Sequence, residues 1–280
     1  MMTKRRFLRG LGLAVAALFL FIVLLYALFP VAPLNNAIAL KLAEQGLTIA
    51  PEASKTILPG VVWSEAALSS AQGPLLAFDR LKVQPQLAPL LLGRMKVAAD
   101  LALAGGEMNL LYGLNGSQAL ALQADKIELA KVPFFKTVLG ATAGGLLWSE
   151  GTVRRTAQGL NGELKLEVKQ LQYSGVKMGA FALPDAANLR TQGMVRISGG
   201  RARLESFTLQ GEGIYMRLSG DLPNGPQITS MPLDLTLEIM PKPEFMERQK
   251  LVFLLLAKFM ISPGVYRVPI RGTLLKPVIL

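Results

Sequence analysis

With no His and no Cys among its 280 residues, this chain is limited to the chemistry of Asp, Glu, Lys, Ser, Thr and Tyr groups. Ser-His-Asp and Cys-His catalysis, zinc sites of the usual kind, haem, iron–sulfur clusters and disulfides all need side chains that are missing. The nearest thing to a catalytic pair is Glu163 and Glu167, four apart on an alternating run and flanked by Lys165 and Lys169. Acid–base work needs burial to split the pKa values of two carboxyls, and this spacing predicts solvated, ion-paired groups on one wet strand face. Glu205 and Glu212 have no stronger case. Gly140-Ala141-Thr142-Ala143-Gly144-Gly145 is glycine-rich, but no Lys-Ser/Thr follows to hold a phosphate, so it is expected to be a flexible turn. Asn115-Gly116-Ser117 matches a glycosylation acceptor and is better explained as a hairpin turn. No catalytic residue, cofactor-binding residue, cofactor or metal ligand is expected, and the chain is not expected to be an enzyme.

The strongest physical signal lies in the first thirty residues. Leu11 to Phe29 carry no charge and are mainly Leu, Ala, Val, Phe and Ile. As a helix they would extend roughly 28 Å, close to the ~30 Å hydrocarbon core of a bilayer. Only a helix satisfies its own backbone in lipid, so a single transmembrane helix is expected here. Lys4, Arg5, Arg6 and Arg9 precede it, and the next charge is Lys41. That asymmetry predicts a cytoplasmic N-terminus with everything after Pro30 across the membrane. A cleaved signal peptide would have a shorter apolar run and a small-x-small site, whereas Tyr26-Ala27-Leu28-Phe29-Pro30 offers bulky residues and a proline. Removing the four head cations from the formal net charge of +11 leaves +7, scattered along the chain. Without interleaved base-stacking aromatics this is not a nucleic-acid surface, though it favours anionic headgroups.

Beyond the anchor, Pro33 to Glu44 reads as a short connector helix, with Ile38 and Leu42 on one side and Gly46 as its stop. The period then changes to two. Residues 163–169 alternate charged and aliphatic side chains without a break, and Leu233, Leu235, Leu237 and Ile239 alternate with polar partners. Similar runs occur around residues 81–83, 95–103, 108–112, 120–122 and 214–218. This is the pattern of antiparallel strands with one dry and one wet face, about ten of them and short. Gly105-Gly106, Asn115-Gly116, Asn161-Gly162, Gly199-Gly200 and Asn224-Gly225 supply hairpin turns. Between Leu204 and Phe207 the apolar phase slips by one, predicting a bulge at Glu205-Ser206. Leu87 to Leu92 reads as a short crossover, and Glu244 to Met260 as one amphipathic helix. That helix either covers the dry face of the sheet or forms a lid or membrane-contacting element. The dry faces themselves pair as a two-sheet sandwich or line one curled gutter. In a gutter the lining would include Leu164, Leu166, Val168, Leu233, Leu235 and Leu237.

The last stretch, Tyr266-Arg267-Val268-Pro269-Ile270-Arg271-Gly272-Thr273-Leu274-Leu275-Lys276-Pro277, resembles the C-terminal signature of the type II secretion system protein N (GspN) family. Phe78-Asp79-Arg80-Leu81-Lys82-Val83-Gln84-Pro85 with Leu90-Leu91-Leu92-Gly93-Arg94, and Gly179-Ala180-Phe181-Ala182-Leu183-Pro184, match in order. In layout the chain is similar to the AsmA-like envelope proteins. The resemblance implies an accessory inner-membrane component of the type II secretion machinery, in contact with other secretion subunits. The AsmA-like layout implies an alternative, a curled β-sheet whose greasy groove binds and carries phospholipid acyl chains. The expectation is therefore mainly β: residues 1–32 as basic head and anchor, 33–46 as connector, and 47–280 as an elongated antiparallel body with a few short helices, located in the periplasm.

Overall fold

The computed structural model describes residues 31–56, 59–223 and 227–279, with positions 16, 17, 20, 21, 23 and 24. Most of the expected anchor, residues 11–29, lies outside the described residues. Its described positions are helical, with Leu20, Phe21, Val23 and Leu24 exposed. No helix among the described residues is long and apolar enough to cross a membrane.

The connector is helix α1, Val31–Glu44. It ends where Gly46 adopts φ +68°, the left-handed conformation that glycine takes at little cost. The body is one antiparallel meander. Strands β1 (Leu47–Ala50), β2 (Ser54–Lys55), β3 (Val61–Ser70) and β4 (Gly73–Pro85) lead through helix α2 (Leu87–Leu91) to β5 (Lys96–Leu103), β6 (Gly106–Gly113) and β7 (Gln118–Glu128). A 3-10 turn (Leu129–Lys131) and helix α3 (Phe134–Leu139) precede β8 (Thr142–Thr156) and β9 (Gly159–Ser174). A small hairpin, β10 (Lys177–Met178) with β11 (Phe181–Ala182), interrupts before β12 (Ala186–Ser198), β13 (Arg201–Gly211), β14 (Ile214–Asp221) and β15 (Asp234–Pro241). Helices α4 (Pro243–Arg248) and α5 (Lys250–Leu255), then a 3-10 turn (Ala257–Phe259), lead to β16 (Met260–Ser262), β17 (Val265–Thr273) and β18 (Lys276–Ile279). Sixteen strands form a single sheet running from β1 to β16, and no ladder joins its two ends among the described residues. The dry faces therefore belong to one continuous sheet and not to two.

Local chemistry explains most of these boundaries. Between β12 and β13, Gly199 (φ +56°) and Gly200 (φ +82°) both adopt positive φ, as a tight two-residue hairpin turn requires. Met194 pairs with Ser206 and Val195 with Leu204, so Glu205 is the extra residue of the expected bulge. A second bulge in the β9–β12 ladder, between Leu189 and Gly193, leaves backbone groups of Val168 without strand partners. Buried Thr191 replaces them: its hydroxyl accepts from the Val168 N–H at 2.6 Å and donates to the Val168 carbonyl at 3.1 Å.

Several expectations need correction. The strands are more numerous and longer than the alternating runs suggested: β8 has 15 residues and β9 has 16. Asn161-Gly162 lies inside β9; the turn is at 157–158, and the Asn161 side chain braces it by donating to Thr156 Oγ1 at 2.7 Å. Asn224-Gly225 lies outside the described residues. Gly140 caps α3, but residues 142–145 belong to β8 because the facing end of β9 extends to pair with them. The single late helix is broken at Gln249. That residue leaves helical geometry (φ −124°, ψ 40°), and its side chain instead accepts from the Asp185 N–H at 2.8 Å and donates to the Asp185 carbonyl at 2.7 Å.

The dry face holds two hydrophobic clusters. One gathers Val61, Trp63, Phe78, Leu103 and Ile127 from β3–β7, with Ile38 of α1 packed against it. The larger runs from β8 to β18 and takes in Phe245 of α4 and Phe253 of α5. Leu147 on β8 touches both. In the larger cluster Ile239, Val268 and Leu256 are completely buried, so each contributes the full transfer energy of its side chain, roughly 1.5–3 kcal/mol.

Candidate functional site, an apolar cavity on the dry face

The dry face does not fill all the space it encloses. A cavity of about 380 Å³ remains between the middle strands and the C-terminal ones. Leu166, Val168, Leu171 and Tyr173 of β9 form one wall, continued by Phe207 and Leu209 of β13 and by Met216 and Leu218 of β14. Leu237 of β15 and Ile270 of β17 also reach it. Residues so far along one meander can share a cavity only because the sheet curls, as accumulated strand twist makes it do. Two short insertions complete the lining: Phe135 and Leu139 from α3, and Val176, Met178 and Leu183 around the β10–β11 hairpin.

Of the gutter residues expected from alternation, Leu166, Val168 and Leu237 line the cavity. Leu233 and Leu235 are buried in the same cluster beyond its wall. Leu164 lies outside that cluster, half-buried and facing Gly151 in the β8–β9 ladder. Alternation missed Tyr173 because the phase slips where Gln170 takes φ +53° and the β8–β9 register shifts. It missed the α3 and β10–β11 contributions because segments that short have no readable period.

Every lining side chain is aliphatic, aromatic or thioether except Tyr173, the one hydroxyl. Its phenol donates to Met216 Sδ at 3.3 Å, a weak acceptor. Burial, and secondarily the nearby Asp185 carboxylate, raises its pKa well above the ordinary tyrosine range. A cavity this size without polar partners cannot hold water favourably, whereas an apolar ligand can occupy it. Tyr173 is its one ionisable lining group.

The wet face is different in kind. A depression of about 610 Å³ crosses β7, β8, β9, β12 and β13 between Gln123, Trp148, Lys165 and Gln192. Its charges are solvated: Lys165 sits 3.8 Å from Glu163, and Lys169 stacks 4.4 Å from the Trp148 ring. Glu163 and Glu167 thus stand on the hydrated side, away from the cavity. Glu205 pairs with Arg196 at 2.9 Å. Asn115 fastens two loops, accepting from the Met95 N–H at 2.8 Å and donating to the Gly93 carbonyl at 2.9 Å. Among the described residues no group of three or more acidic side chains could hold a metal ion. No family model, curated protein or solved structure matches the chain.

Proposed function

We propose that this protein binds lipid acyl chains on the dry face of its sheet, as an AsmA-like module held at the inner membrane by residues 11–29 with its body in the periplasm. The observation that carries the reading is the cavity of about 380 Å³, lined by apolar side chains and the single Tyr173 hydroxyl, beside tightly packed Ile239 and Val268. A core under selection for stability alone would fill such a space, because unfilled volume forfeits packing energy. Each methylene transferred into it gains about 0.8 kcal/mol, so a chain of roughly ten carbons binds without any specific polar contact. Binding is the activity proposed; no covalent step is involved.

The cellular setting suggested by the resemblance is the type II secretion apparatus, with this protein as an accessory inner-membrane component. One observation favours contact with other subunits: among the described residues no strand pairs with the outer edge of β1 or of β16, and open edges can pair with another chain.

The test is to purify the full chain in mild detergent and identify co-purifying lipids and proteins by mass spectrometry. Stoichiometric phospholipid or fatty acid is expected from the wild type, with a marked loss in Leu166→Trp, which fills the cavity. Lipid-free wild-type protein, or equal lipid in the filled variant, would overturn the acyl-binding reading. Absence of secretion subunits after cross-linking in the membrane would overturn the setting.

A further inference from the structure

The segment from α4 to β16 exposes more apolar surface than its packing requires. Helix α5 is apolar nearly all round, and only one side is covered, by Phe253 and then Leu256 turned into the core. On the other side Leu251, Leu254 and Leu255 stand 77%, 69% and 54% exposed, and Met260 and Ile261 of β16 extend the patch. A helix hydrophobic on every side belongs either inside a core or against lipid. The charge that follows Glu247 in the chain has one sign. From Arg248 to Leu280 there are six cations and no acidic residue. Among the described residues no carboxylate pairs with Arg248, Lys250 or Lys258. Lys258 is held upright over the rings of Phe181 and Phe259, at 4.5 and 4.7 Å. The two acidic residues of the cap, Glu244 and Glu247, sit one helix earlier, on α4.

We infer that this cap docks on the surface of an anionic lipid bilayer, with Leu251, Leu254, Leu255 and Ile261 entering the interface and Arg248 and Lys250 meeting the headgroups. An apolar ridge rimmed by cations is the chemistry of an interfacial helix. The contact is separate from the connector. Gln45, at the end of α1, accepts from Thr229 Oγ1 at 2.6 Å in the loop that joins Asp221 to Asp234, whereas the cap springs from the other end of the β14–β15 ladder, at Pro241 paired with Ile214. The eight residues of β14 put those ends about 23 Å apart. The inference does not depend on acyl-chain binding in the cavity.

The absence of natural cysteine makes the test direct. The full chain carrying Leu254→Cys, labelled with an environment-sensitive dye, is combined with vesicles of phosphatidylcholine alone or with about one third phosphatidylglycerol, each with and without nitroxide-labelled lipid. Blue-shifted emission and about twofold or greater quenching are expected in the anionic vesicles only, with little change for Lys165→Cys on the wet face. Arg248→Gln with Lys250→Gln should weaken the effect roughly 30-fold, and high salt should reduce it. Leu251→Glu with Leu255→Glu, at exposed positions, should abolish it while leaving the melting temperature unchanged. Emission that ignores the vesicles overturns the inference. So does shielding of the dye without lipid that grows with protein concentration, which would make the patch an interface between two copies.

Discussion

The Tyr173 hydroxyl lies 3.3 Å from the sulfur of Met216, across a cavity wall that holds no other hydroxyl. The bond joins β9 to β14, strands not adjacent in the sheet, so it records the curl of the dry face directly. A donor whose one protein acceptor is a thioether is cheap to remove. Tyr173→Phe is expected to change stability at neutral pH by less than about 1 kcal/mol, measured by thermal melting.

The same residue sets an alkaline limit. Burial raises the Tyr173 pKa, so the native state holds that proton more tightly than the unfolded chain does. Its contribution is intact below the unfolded value of about 10 and is lost as pH rises towards the higher native value. Tyr266, also raised by burial, acts in the same direction. Melting temperature should therefore fall steeply above about pH 10, and less steeply in Tyr173→Phe. Equal slopes for the two proteins would refute the assignment.

Thr191 substitutes for ladder bonds at Val168. Thr191→Val keeps the volume and leaves a buried N–H and carbonyl unpaired, at a cost of about 1–3 kcal/mol, whereas Thr191→Ser should restore most of it. Denaturant midpoints for the three proteins check this.

Leu235 and Leu237 are two residues apart on β15 and should respond differently. Leu235→Glu puts a carboxyl into a packed region and should unfold the body or cost more than about 4 kcal/mol. Leu237→Phe extends into the cavity and should be tolerated, with less lipid retained. Circular dichroism and lipid extraction from both variants separate the outcomes.

Gln249 clamps the backbone of Asp185 from 64 residues away. Gln249→Ala should loosen residues 183–186 together with the cap, at about 1–2 kcal/mol, without unfolding the sheet. Hydrogen exchange should show faster deuteration confined to those two segments.

Local pattern made much of this molecule legible. The charged–aliphatic alternation of 163–169 and the run from Leu233 to Ile239 specify strands with one dry face, because side chains on a strand alternate regardless of what the strand packs against. The phase slip after Leu204 specifies the bulge at Glu205 for the same reason, and Gly46 marks the end of α1 through backbone sterics alone. Composition limits the chemistry before any fold is known, since side chains that are missing cannot act.

What only the tertiary structure decided depends on partners far away in the chain. Whether the dry faces form one curled sheet or two follows from twist summed over sixteen strands, which no single strand encodes. The helix breaks at Gln249, where the side chain bonds the backbone of Asp185, a residue 64 positions away. The cavity takes its shape from residues as distant as Phe135 and Ile270, which is a property of packing in three dimensions. The outward side of α5 has the same origin: in sequence its apolar arc fits either a cover for the dry face or a lid or membrane-contacting element, and the burial of Phe253 and Leu256 leaves Leu251 and Leu254 facing out.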